Sequence, residues 1–238
     1  MQMLEYLKNK KIMIAAAHPD DELLGLGGSM NKLINEYNVD THVVILGEGL
    51  TSRSDIRDIN KWGIRLKTHK ANISNAQKAI GYHSNSIYDL PDNRFDSIPI
   101  LDIVKMIEKE KEKFNPDIIF THHGGDLNID HQKTFEAVMT ATRPVKEEKV
   151  KSIITFETPS GTEWKASSDP RQFIPNFYIS FSEENLKAKI KGMESYEFEK
   201  REFPHPRSPK ALKILAQYRG ISVGTEYSEA FSIIRCID

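Results

Sequence analysis

KIMIAAAHPDDELLGLGG, residues 11–28, decides the architecture. Residues 11–17 form a short, continuous apolar run after a basic stretch. Continuous runs suit parallel strands covered on both faces, whereas half-exposed strands alternate. His18-Pro19-Asp20-Asp21-Glu22 breaks the run, and Leu23, Leu24, Leu26, Met30, Leu33 and Ile34 then recur at helical spacing to about Tyr37. The pattern is strand, polar turn, helix. Ligands of open α/β sheets bind at the carboxyl ends of strands, which is where this polar turn falls.

Working outward, strand and helix signals alternate. Strands are predicted at 41–46, 86–90, 117–120 and 150–156, and helices in part of 55–80, at 100–113 and at 131–142. Between them lie a loop at 47–54, a turn at 91–94 and a long polar loop at 121–130. This alternation predicts an α/β fold with a doubly wound, mostly parallel, Rossmann-like sheet. Beyond residue 157 we expect an irregular C-terminal elaboration, about 158–238, within a single domain spanning 1–238 with its core at about 11–157. Its elements are a strand at 176–181, helices at 183–198 and 210–218, and an edge strand at 231–237. Pro204, Pro206 and Pro209 mark a lid or packing loop between the helices.

The whole chain excludes several classes. Its 238 residues suffice for one sizeable core. With 33 basic and 34 acidic residues, the net charge of -1 exerts no pull on nucleic acid or anionic membrane. No apolar window approaches a membrane span, and the N-terminus lacks a signal peptide's apolar core. Cys236, the single cysteine, forms no intramolecular disulfide, so a cytoplasmic location is expected. Gly25, Gly27 and Gly28 follow the acidic cluster inside the predicted helix, which suits close helix–sheet packing better than a pyrophosphate cradle.

Two segments carry chemistry, residues 15–28 and THHGGDLNIDHQKTF at 121–135. Each follows a predicted strand, so both share one end of the sheet. His18, Asp21 and His131 make a two-histidine, one-carboxylate set with room for water, as in catalytic zinc sites. Asp20, between the first two, is placed to point at that water and take its proton. The same set accommodates Fe(II), with zinc the chemical preference. Each segment alone has a bland reading: His-Pro-Asp as a helix cap, Asp-His as surface.

On these residues the chain resembles the PIG-L/LmbE-like family of zinc-dependent N-acetylglucosamine de-N-acetylases. The likeness runs from AHPDDE followed by GxGG through GTEYSEAF at 224–231. It implies zinc ligands at His18, Asp21 and His131, a general base at Asp20, and a carboxylate at Asp130 that orients a histidine. It further implies a substrate-binding arginine at Arg53 and a sugar-gripping residue at Asp92, with Asn93 and Arg94 beside it. Where well-known members carry His-x-x-His, this chain has Asn128, which donates a hydrogen bond but cannot act as a general acid. His122, His123 and His205 are the candidates for the missing imidazole. Trp164 reads as a core anchor for its loop, with sugar stacking the less favoured role.

The expected reaction is hydrolysis of the acetamide of an N-acetylated sugar or sugar conjugate, nucleotide- or lipid-linked conjugates included. The alternatives are a deacylase of a non-sugar amide and an inactive metal-containing binding protein. A homo-oligomer is compatible with the family.

Overall fold

The computed structural model describes residues 3–237. Strands β1 (Lys11–Ala16), β2 (Asp40–Gly47), β3 (Ser84–Leu90), β4 (Ile118–His122) and β5 (Ser152–Phe156) run parallel. With β6 (Phe177–Ser180) and β7 (Ser228–Cys236) they form a seven-stranded sheet ordered β3-β2-β1-β4-β5-β7-β6, in which β7 is antiparallel to both neighbours. The helices are α1 (Met3–Leu7), α2 (Asp21–Tyr37), α3 (Ile59–Ile80), α4 (Ile100–Phe114), α5 (Ile129–Ala141), α6 (Glu183–Ser195) and α7 (Pro209–Ile221).

The continuous apolar strands are explained by their two faces. Ile12 and Ile14 of β1 join Val43, Ile45 and Phe120 in a core shared with Leu24 and Met30 of α2, Ile73 of α3 and Met193 of α6. The intervening Met13 and Ala15, with Val44 and Ile119, pack against Ile103 and Ile107 of α4 and Val138 of α5. Helices therefore cover both faces of the sheet, as the doubly wound reading requires. β2 and β3 lie on one side of β1, and β4 and β5 on the other. The crevice at the carboxyl ends of β1 and β4 is thus the topological switch point.

Several boundaries differ from the sequence pattern, and three of them bear on the site and the sheet. β4 runs on through His122, and α5 starts at Ile129 because Asn128 caps it, its side-chain oxygen accepting the Asp130 N–H at 2.8 Å. The polar loop is accordingly reduced to 123–128. The last strand begins at Ser228 and lies between β5 and β6, not at an edge. Burial decides this: Phe231 packs between Phe120 and Phe177 in the core.

α2 is broken at Leu26, whose φ of -147° leaves the helical range. A break frees backbone groups that must find partners when buried. Glu229 of β7 accepts the N–H groups of Gly28 and Ser29 at 3.1 and 2.8 Å. Lys189 of α6 donates to the Leu24 carbonyl at 2.9 Å and to Glu229 at 2.6 Å. Gly25, just before the break, lies so near β5 that a β-carbon there would stand 2.2 Å from Phe156 Cδ2. Gly25→Ala is expected to destabilise the fold by about 1–3 kcal/mol through overpacking. A denaturant midpoint that does not fall would contradict this packing.

Candidate active site

The turn after β1 is held by its own acids. Asp21 Oδ2 accepts the His18 N–H at 2.8 Å, and Glu22 Oε2 accepts the Asp20 N–H at 3.0 Å. Glu22 also accepts the Tyr196 hydroxyl, which anchors the turn to the end of α6. Asp20 adopts φ 108°, a strained region for a residue with a β-carbon. It occupies the N-cap of α2 without its side chain capping the helix. Its carboxylate is instead directed to Arg207, whose Nη1 lies 2.9 Å from Oδ2.

His18, Asp21 and His131 converge. Asp21 Oδ2 is 3.3 Å from His18 Nδ1 and 3.3 Å from His131 Nε2. One ligand atom from each of the three lies within 4.8 Å of the others. The outer ring nitrogens face carboxylates: His18 Nε2 is 2.8 Å from Asp130 Oδ2, and His131 Nδ1 is 3.0 Å from Asp126 Oδ1, off the line of a straight hydrogen bond. Such partners set the tautomer that leaves a lone pair for a cation. His18 also approaches a second carboxylate pair, Asp92 and Asp130. Those acids already have donors: Asp130 takes the N–H groups of Asn93 and Phe95 at 2.6 and 2.9 Å, and Asp92 takes Ser52 N–H and Oγ–H. The second set also holds a single imidazole, so only the first supplies the donors of a two-histidine, one-carboxylate metal centre.

The charges agree with that fit. Burial opposes protonation of His131, but Asp21 and Asp126 overcome it and push its pKa up to about 9. Burial likewise opposes a charged His18, and Asp130 and Asp21 raise its pKa well above the usual value. Burial would raise Asp21, yet the imidazoles of His131 and His122 hold it well below the carboxylate range. Burial raises Asp20 well above that range against the pull of Arg207, with Asp21, Glu199 and Glu22 adding to the rise. The site is rich in negative charge and draws positive charge into its centre.

Two candidate imidazoles, His122 and His123, are engaged with other parts of the protein. His122 is fully buried, its ring stacked on His131 with centroids 3.9 Å apart. Its Nε2 accepts the Ala17 N–H at 2.9 Å, so Nδ1 carries the proton and faces Thr158 Oγ1 at 3.0 Å. Burial, then the neighbouring His131, pull its pKa down to about 4. Both its nitrogens are thus engaged inside the protein. His123 turns the other way, with Nε2 at 2.8 Å from the Arg171 carbonyl and its ring edge on Phe173.

The remaining candidates line a polar cavity of about 200 Å³ over the cluster, among them Arg53, Asp92, Asn93, Asn128 and His205. Asn128 spends its oxygen on the α5 cap, leaving Nδ2 without a partner among the described residues. His205 Nδ1 accepts the Arg207 N–H at 3.2 Å, which leaves Nε2 to carry the proton. Burial, with Arg207 and Arg201, lowers its pKa. Arg53 pairs with Glu199. Trp164 is no core anchor: it is 51% exposed at the cavity wall, edge-on to His205.

Sequence reasoning missed Asp126, Glu199, Ser160 and Arg207. Asp126 had a usable signal, since His131 needs an acceptor for its outer nitrogen and a carboxylate lies five residues before it. The other three are brought in by long-range folding alone.

The sequence matches the profile of the family described as PIG-L, GlcNAc-PI de-N-acetylase, over residues 13–142. It is 26% identical over 194 residues to the "uncharacterized deacetylase YaiS" of Escherichia coli K12, covering 79% of this chain and 91% of that protein. The fold is similar to that of N,N'-diacetylchitobiose deacetylase from Pyrococcus horikoshii, with TM-score 0.70, 17% identity and coverage of 98% of this chain and 89% of that one. It is also similar to that of GalB, the 4-carboxy-2-hydroxymuconate hydratase of Pseudomonas putida KT2440, with TM-score 0.67, 16% identity and coverage of 94% and 96%. At such identities these two structures speak for the fold and not for the reaction. The matched span takes in more than half of the chain and contains both the HPDDE turn after β1 and the NIDH start of α5, and the protein belongs to the PIG-L family.

Proposed function

We propose that this protein is a metal-dependent hydrolase that cleaves the acetamide of an N-acetylated amino sugar or sugar conjugate, releasing acetate and the free amine. The observation that carries this is the convergence of His18, Asp21 and His131 beneath a polar cavity, with the Asp20 carboxylate beside them. Family membership and the Escherichia coli deacetylase relative support the same reaction. His18, Asp21 and His131 would hold zinc, with Fe(II) the alternative occupant. Bound there, the cation lowers the pKa of a water and polarises the amide carbonyl.

The chain's own groups do the rest. Asp20 takes a proton from the attacking water as its oxygen bonds to the carbonyl carbon. Asn128 Nδ2 and His205 Nε2–H offer hydrogen bonds to the carbonyl oxygen or to sugar hydroxyls. Burial, Arg207 and Arg201 lower the pKa of His205, which favours the hydrogen-bonding role. The C–N bond then breaks, and the proton held on Asp20 passes to the departing nitrogen. Asp20 thus serves as base and then acid.

The cavity wall favours a sugar. Asp92 and Asn93 present polar groups to hydroxyls, and the open face of Trp164 suits stacking on a ring. Arg53 and Arg201 suit a phosphate or carboxylate on the aglycone, as in a nucleotide- or lipid-linked conjugate. No helix among the described residues is long and apolar enough to cross a membrane.

The test is acetate release by metal-reconstituted protein from a panel of N-acetylglucosamine conjugates and non-sugar acetamides. Release is expected from a sugar conjugate, with Asp20→Ala lowering it at least about 10²-fold at full metal occupancy. Undiminished turnover in that variant would remove Asp20 from the chemistry. Release from non-sugar acetamides alone would move the substrate class, and none at all would favour hydration chemistry or binding. Separately, Asp126→Asn is expected to weaken metal affinity about 10–100-fold. A metal titration indistinguishable from wild type would detach Asp126 from the centre.

A further inference from the structure

Arg207 belongs to no motif named above, yet its guanidinium reaches the heart of the site. Nη1 donates to Asp20 Oδ2 and to Glu199 Oε2, both at 2.9 Å, and Nε donates to Ser160 Oγ at 2.7 Å. Glu199 in turn holds Arg53. The backbone of Arg207 is fixed from two sides. Its N–H is taken by His205 Nδ1, and the next residue, Ser208, caps α7 by accepting the Ala211 N–H, with Pro209 in the first turn. Asp20 and Ser160, which both receive this guanidinium, sit at φ 108° and 71°, so strained backbone is kept on each side of it.

The two oxygens of Asp20 are not equivalent. Oδ2 accepts Arg207, while Oδ1 has no donor among the described residues, and Asp20 lines the cavity. We propose that Arg207 is a positioning residue for Asp20, anchoring one carboxylate oxygen so that the other alone is presented to the attacking water. This rests on Asp20 being the general base. A planar guanidinium suits the task because it holds a carboxylate and a hydroxyl in fixed, different directions, which the single point charge of lysine cannot do.

The experiment uses full-length, metal-loaded protein and the conjugate that releases acetate best. Arg207→Met is expected to lower kcat about 10²-fold, the loss typical of a displaced catalytic group, with KM and metal content near wild type. Arg207→Lys should recover only part of that loss. Added guanidinium ion should restore part of the turnover of Arg207→Ala and none of that of Asp20→Ala. Arg207→Met should add little to the loss already caused by Asp20→Ala, because both remove one function. Fully additive losses, absence of rescue, or a change confined to KM would each overturn the proposal and leave Arg207 a buttress of the loop. Should Arg207→Met fail to fold, the lysine variant and guanidinium rescue still decide. The outcomes separate the two ideas: turnover intact in Asp20→Ala sinks the general-base reading, whereas turnover lost there but intact in Arg207→Met sinks this inference alone.

Discussion

Everything at the carboxyl end of the sheet is referenced to one buried carboxylate. Asp130, in the first turn of α5, accepts from His18 Nε2 and from the backbone N–H groups of Asn93 and Phe95. These partners lie on the connections after β1 and β3, so three separate stretches of chain share a single anion. Hydrogen bonds to a buried charge are among the stronger ones, and leaving either side unpaired costs a few kcal/mol. Asp130 holds the outer nitrogen of His18 while its Nδ1 faces Asp21 Oδ2 at 3.3 Å. The same carboxylate ties the turn that carries Asp92 to α5 through the Asn93 and Phe95 N–H groups.

The site alternates charge in a way that the near-neutral composition hides. Arg53, Glu199, Arg207 and Asp20 follow one another across the cavity, each within ion-pair distance of the next. Beneath them Asp21, Asp126 and Asp130 surround two imidazoles. Acids in this number cannot be buried together without compensating positive charge. The arginines supply it on the upper side, and a cation among His18, Asp21 and His131 would supply it below.

The fold class and two of the cluster's three donors were legible because they are local. Residues 11–37 carry strand, turn and helix in one stretch with His18 and Asp21 on the turn itself, while His131 of α5 was legible because its segment also follows a predicted strand and so shares that end of the sheet. The errors came where polar residues imitate loops. His122 reads as loop because a polar residue rarely ends a buried strand, yet strands of this sheet end in the site and must be polar there. Trp164 reads as an anchor because large aromatics are usually buried, and only the completed cavity reveals it as wall. Arg207 lies 187 residues from Asp20, and nothing in the intervening pattern announces the pairing.

The position of β7 has a temporal consequence. Sheet order places residues 228–236 between β5 and β6, so a chain emerging from the ribosome offers β5 an open edge until that segment is made. Until then β6 has no neighbour, and the freed backbone groups at the α2 break lack Glu229. Non-local pairings of this kind form late and expose unpaired strand edges meanwhile. The same strand that completes the sheet therefore also supplies the partner that the broken helix after the Asp20 turn needs, and until it is in place the edge of β5 is open to pairing with other chains.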